Sequence, residues 1–212
     1  MTRQDGYFFD IGAHTGIYSI IGNLNQNQNK IISIEAYFLN FTRLLSNLKS
    51  NNIESKNCFL AAASNIDGQG KFSDNLPSNQ SSQYHSAGGR LTENGKISIT
   101  KIKIDNFKLD KKLKGIKIDT EGHELQVLEG AQNYIKRDKP DILLEINENC
   151  FDKCLNFLKK EGYNLYFIDE VEQKILKIEN FNFDLKRPEG SNCYASVSTL
   201  TKLPNINFKK KI

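Results

Sequence analysis

The chain has 212 residues, 38% apolar and 25% charged, which is enough to bury one full core and too apolar for a disordered or fibrous protein. Its 29 basic and 25 acidic residues leave a formal charge of +4 with lysines scattered among acids, so no basic stripe points to nucleic acid. No run of about 18 apolar residues and no secretory leader pattern occurs, and Cys58, Cys150, Cys154 and Cys193 form no CxxC pair. A single cytoplasmic domain over residues 1–212, with reduced thiols and no membrane span, is expected.

Strand-length apolar segments alternate with segments of helical period, the pattern of parallel βα units. GYFFDIG reads as a first strand ending at Gly12, and a helix beginning near Gly16 carries Ile17, Ile20, Ile21 and Leu24. KIISIEA is a second strand. From Asn40 to Asn51, Phe41, Leu44, Leu45 and Leu48 share one helical face, and CFLAAAS is a third strand. The DGQG segment from Asp67 to Gly70 signals a hairpin. From Asp74 to Gly95 the chain is polar, contains glycine and lacks periodicity, so a mobile lid on the acceptor side is expected there.

GIKID at 115–119 returns to strand character, and Glu124 to Ile135 reads as one helix with Leu125, Leu128, Ala131 and Ile135 inward. Pro140 opens the strand DILLEI, and Phe151 to Lys160 is an amphipathic helix. YNLYFID, KILKI and CYASVST supply further strands.

The first chemical signal is Asp10-Ile11-Gly12-Ala13-His14-Thr15-Gly16, placed where a buried strand hands over to a helix. A glycine there lets the backbone turn and lets a ligand approach, and ligands of open α/β sheets bind at this edge. A dinucleotide fingerprint would read GxGxxG and seat a pyrophosphate; here the spacing is GxxxG and an acid precedes it. That acid repels an anion and favours a cationic sulfonium ligand, which points to S-adenosylmethionine. Glu35 closes the next strand, where a carboxylate can accept both ribose hydroxyls of an adenosine. Asp10, Gly12, His14, Gly16 and Glu35 are therefore the expected cofactor contacts, with Asp119 from the second cluster.

That second cluster, Lys117-Ile118-Asp119-Thr120-Glu121-Gly122-His123-Glu124, again joins a strand to a helix. Asp119 is expected to face the same crevice as Asp10 and to position donor or acceptor. Glu121 and Glu124 could equally serve the helix N-terminus through its dipole.

FFDIGAHTGIYS, then IEA, IKIDTEGHELQVLEGA and DILLEIN resemble, in order and spacing, the FkbM methyltransferase family from Gly6 to about Ile168. The DxEGxE segment is the most specific part. The resemblance implies a Rossmann-like α/β class I methyltransferase fold, with a mostly parallel seven-stranded sheet and helices on both faces. It also implies S-adenosyl-L-methionine as donor and O-methylation of a hydroxyl, often on a sugar or secondary metabolite. Two features depart from the family. His14 stands where Asn is common, and only a few residues precede the first strand, so either this is a trimmed domain or another element serves as the lid.

An alcohol acceptor has to lose a proton, and a carboxylate or imidazole in reach would take it. Asp119, Glu121 and His123 are the expected catalytic residues, with Glu124 a further candidate base. Asp119, Glu121 and Glu145 could also hold a divalent cation, but a hydrogen-bonding network is the preferred reading and no metal is expected. The expected partner is a small-molecule or carbohydrate acceptor. A nucleic-acid methyltransferase would share the cofactor motif but should carry an Asn-Pro-Pro-aromatic clamp where this chain has DTEG. A catalytically silent nucleoside-binding domain would share the motif as well.

Overall fold

The computed structural model describes residues 5–24, 30–74, 89–146, 150–169, 174–178 and 191–200. Five strands run parallel: β1 (Tyr7–Ile11), β2 (Ile31–Glu35), β3 (Cys58–Leu60), β8 (Leu113–Ile118) and β9 (Asp141–Ile146). The sheet then continues through β12 (Ser191–Ser196), β10 (Asn164–Asp169) and β11 (Lys174–Lys177), each antiparallel to its neighbour. Its order is β11-β10-β12-β9-β8-β1-β2-β3. The sheet is thus mixed and eight-stranded instead of seven-stranded, because the KILKI segment pairs on β10 and adds an edge strand.

Alternation along the strands sorts the two faces. Phe9, Ile11, Ile32, Ile34, Ile116, Ile118, Ile142 and Leu144 all enter one large core. That core is completed by Val127 and Leu128 of α3 (Glu124–Gly130), Ile135 of α4 (Gln132–Asp138), and Leu155 and Leu158 of α5 (Phe151–Lys160). The intervening positions Asp10, Ser33 and Lys117 are paired across β2, β1 and β8 and share the opposite face.

Over that polar row lies α1 (Ile17–Leu24), and it turns its polar side inward. Ser19 is fully buried and donates to Asp10 Oδ2 at 2.6 Å, with its oxygen 2.7 Å from Ser33 Oγ. Ile17, Ile21 and Leu24 face solvent, the reverse of the orientation that their periodicity suggests. The physical reason is the buried carboxylate. Leaving a charged acceptor without a donor costs about 1–3 kcal/mol or more, comparable to the gain from burying one aliphatic side chain. Beside α1, α2 (Phe38–Ser50) inserts Leu44 and Leu48 into a second, smaller core with Ala13 and Ile53.

CFLAAAS does not stay one strand. After β3 the chain crosses to a four-stranded sheet made of β4 (Ala62–Ala63), β5 (Gly68–Ser73), β6 (Arg90–Leu91) and β7 (Ile97–Ile102), in the order β4-β7-β5-β6. The DGQG segment is no hairpin turn: Gly68 and Gly70 lie within β5 and pair with Lys101 and Ile99 of β7. The helix expected from Glu124 to Ile135 breaks at Ala131 (φ −109°, ψ 9°) into α3 and α4. Gly130, the last residue of the first piece, packs against the Ser64 carbonyl so closely that a Cβ would stand 2.0 Å from its oxygen.

Candidate active site

The strand ends of β1, β2 and β8 open into a cleft of about 380 Å³, a size suited to a small ligand. Gly12 turns the chain out of β1 with φ +68°, and its N–H donates to the Ile34 carbonyl at 2.9 Å. His14 is also left-handed (φ +52°), a conformation that His tolerates better than most side chains. Gly16 (φ +90°) closes the turn, its N–H donating to Ala13 O at 2.8 Å.

The left-handed His14 aims its N–H at Glu35 Oε2 (2.8 Å), while the Tyr37 N–H reaches Glu35 Oε1 (2.8 Å). Burial holds the Glu35 carboxyl above its ordinary value, against the opposing pull of the two backbone donors. Each oxygen keeps a lone pair, so this fixed carboxylate can still accept a diol from the cleft it lines.

Asp10 is not at the cleft surface. Its carboxyl is fully buried under α1, and burial raises its pKa more than the neighbouring ammonium of Lys117 lowers it. Asp10, expected as a direct cofactor contact, thus does not line the cleft, whereas its neighbour Lys117 does, a residue whose part in the site is not apparent from the sequence. Lys117 is buried, donates to the Gly12 carbonyl at 2.7 Å, and stands 3.8 Å from Asp10 Oδ1 and 3.3 Å from Asp119 Oδ2. The Tyr18 ring covers it with its centroid at 5.4 Å.

Asp119 follows β8 directly. Its N–H donates to Ile11 O at 3.1 Å, and its carboxylate lines the cleft. Glu121 sits exposed in a left-handed turn (φ +55°) at the cleft wall, its carboxyl pushed up by burial and then by Asp119 and Glu124. His123 also lines the cleft; its Nε2 is 2.9 Å from Ser64 Oγ, and burial lowers its pKa. Glu124, the further candidate base, has turned into the loop instead. Its Oε1 accepts from Thr120 N, Thr120 Oγ1 and Gly122 N at 2.9–3.1 Å, and its Oε2 accepts from Cys150 Sγ at 3.0 Å. It is a structural tie. Glu145 reaches the same cleft from β9, its carboxyl raised to about 7 by burial and by Asp119.

Of the expected lid from Asp74 to Gly95, residues 75–88 lie outside the described residues. Phe72, Arg90 and Leu91 of the four-stranded sheet line the cleft with Gly89, and Phe72 stacks on Tyr37 with ring centroids 5.8 Å apart. Among the described residues no cluster of three or more His, Cys, Asp or Glu side chains is disposed to hold a metal ion.

Residues 10–165 match the Methyltransferase FkbM domain, well over half of the chain. The protein belongs to the FkbM methyltransferase family. Its fold is similar to that of the methyltransferase FkbM from Methylobacillus flagellatus KT, with a TM-score of 0.56 at 18% identity over 90% of this chain. This chain spans only 43% of that one. Weaker likenesses are to a precorrin-6y methyltransferase from Geobacter metallireducens GS-15 (TM-score 0.49, 14% identity, 92% of this chain and 80% of that one). Another is the N-terminal domain of human METTL16 in complex with SAH (TM-score 0.45, 12% identity, 94% and 64%). No curated protein matches the FkbM-family chain in sequence. The class I methyltransferase fold is thus established, and among the described residues no helix is long and apolar enough to cross a membrane.

Proposed function

We propose that this FkbM-family chain transfers a methyl group from S-adenosylmethionine to a hydroxyl of a small-molecule or carbohydrate acceptor. The carrying observation is Glu35, a buried carboxylate one strand over from the glycine turn, held by two backbone donors with lone pairs left for a ribose diol. The donor supplies an already activated methyl group when bound. The chain's task is to bind, orient and exclude water.

In this reading Gly12, His14 and Gly16 form the turn against which the donor lies, and Glu35 accepts its ribose hydroxyls. Asp119 faces its cationic half, with Asp10 acting behind Lys117 as a positioning group. Asp119, Glu121 and Glu145 make the cleft acidic. Such a wall suits a sulfonium and a neutral acceptor and repels a phosphodiester backbone, which favours a small acceptor over nucleic acid. Four free cysteines fit a reducing, cytoplasmic setting.

Calorimetric titration with S-adenosylhomocysteine tests the cofactor assignment. Glu35→Ala is expected to weaken that binding by about 1–3 kcal/mol, the loss of charge-assisted hydrogen bonds. Unchanged affinity in this variant would remove Glu35 from the site. For turnover, Glu121→Gln is expected to lower the rate by up to about 10²-fold if it meets the acceptor. A full-rate variant would leave Glu121 as part of the wall alone.

A further inference from the structure

Strand register brings together two carboxyls that lie far apart in the chain. Ile118 of β8 pairs with Leu144 of β9, so Asp119 and Glu145 are neighbours on adjacent strand ends. Leu144 points into the large core, and alternation sends Glu145 to the other face, where Lys117 and Asp119 lie. Both carboxyls line the cleft. The charged groups facing Glu145 are Asp119 within hydrogen-bonding reach, Glu121 from the following turn, and Lys117. On its other side β12 presents the neutral Asn192.

The remaining candidate bases are worse placed. His123 is held by Ser64, Glu124 is consumed by its own loop, and Glu121 hangs on an exposed turn. Glu145 combines a place in the cleft with a rigid strand beneath it and a second carboxyl beside it, Asp119, which is itself ion-paired to Lys117 at 3.3 Å.

We infer that Glu145, paired with Asp119 across the β8 and β9 strand ends, is the base that takes the acceptor's proton. The inference rests on the methyl-transfer reading above. Lys117 lies against Asp119, and burial together with the Asp119 charge beside it raises the Glu145 carboxyl to about 7. In the reaction the acceptor oxygen bonds to the methyl carbon, and the C–S bond breaks with its electron pair left on sulfur. The hydroxyl proton passes to the Glu145 carboxylate and from there to water. A base with a pKa near the working pH is the efficient choice for such a transfer. The sign follows: the pair accepts the proton above about pH 7 and is blocked below it.

The test is an infrared titration of the whole protein labelled with ¹³C-glutamate. One glutamate should titrate near pH 7, and that signal should vanish in Glu145→Gln. Asp119→Asn should keep it but move it down by about 1 unit, since a neighbouring negative charge is gone. A second arm uses sinefungin, a donor analogue with an ammonium in place of the methyl sulfonium. Its binding at pH 7, measured in two buffers of different ionisation heat, should release up to about half a proton per site in the wild type and less in Glu145→Gln. S-adenosylhomocysteine, which lacks that charge, should release less. If neither ligand binds, the methyl-transfer reading itself falls. If both bind but no glutamate titrates near pH 7, or proton release is the same in both proteins, Glu145 is not the base.

Discussion

Gly12→Ala is expected to abolish binding of S-adenosylhomocysteine and to destabilise the fold by about 3–5 kcal/mol, summing a strained dihedral and a backbone clash. The φ of +68° alone disfavours a side chain by about 1–2 kcal/mol. The larger cost is steric: a Cβ on Gly12 would stand 1.7 Å from the Asp119 carbonyl oxygen. That oxygen belongs to the backbone of the neighbouring strand end, which is itself held by the Asp119 N–H bond to Ile11. Neither side can yield without separating β1 from β8, and the Lys117 bond to the Gly12 carbonyl would be lost with them. Gly68→Ala is the control. Gly68 also has positive φ (+137°), but a Cβ added there would meet nothing within 4 Å, so only strain should register. Urea unfolding of both variants separates the two effects, and a Gly12→Ala protein within about 1 kcal/mol of wild type would refute the clash.

The glycine turn was legible in the sequence because its demands are local: a strand, a positive φ and a helix within a few residues. Most strands of the large sheet were legible for the same reason, since apolar runs of that length bounded by turn residues have few alternatives. The second sheet was not. Its pairing depends on β7 joining β5 and β4 from opposite sides, and a glycine pair that resembles a hairpin turn proved to be strand interior. The inverted α1 was hidden by its own periodicity. Ile17, Ile21 and Leu24 form a regular apolar stripe, and only the knowledge that Asp10 lies beneath Ser19 shows why the other side faces inward. The same gap concealed Lys117. A lysine inside the apolar run GIKID was a visible anomaly, but its meaning required the β1 and β8 register that sets it opposite Asp10.

Lys117→Met is expected to destabilise the protein by about 3–5 kcal/mol at neutral pH, the cost of removing one partner from a buried ion pair. Methionine fills most of the same volume, so the loss is electrostatic more than steric. Asp10 is fully buried and its Oδ1 accepts no hydrogen bond, which leaves the Lys117 ammonium at 3.8 Å as the group that balances it. Without that cation the carboxyl takes a proton, and the sign of the pH dependence follows. Burial already raises the pKa of Asp10 above its ordinary value, and loss of Lys117 raises it further. A raised folded pKa gives stability that is full below the unfolded carboxylate value and is lost as pH rises through the folded one. The deficit of Lys117→Met against wild type should therefore widen from pH 5 to pH 8. Asp10→Asn in the same chain should recover much of it, because an amide carries no charge to strand and Ser19 can still donate to its oxygen. Denaturant unfolding of the two single variants and the double variant completes the cycle. Single losses that add to within about 0.5 kcal/mol would mean that the two groups are uncoupled, and that Lys117 serves the Gly12 carbonyl and Asp119 alone.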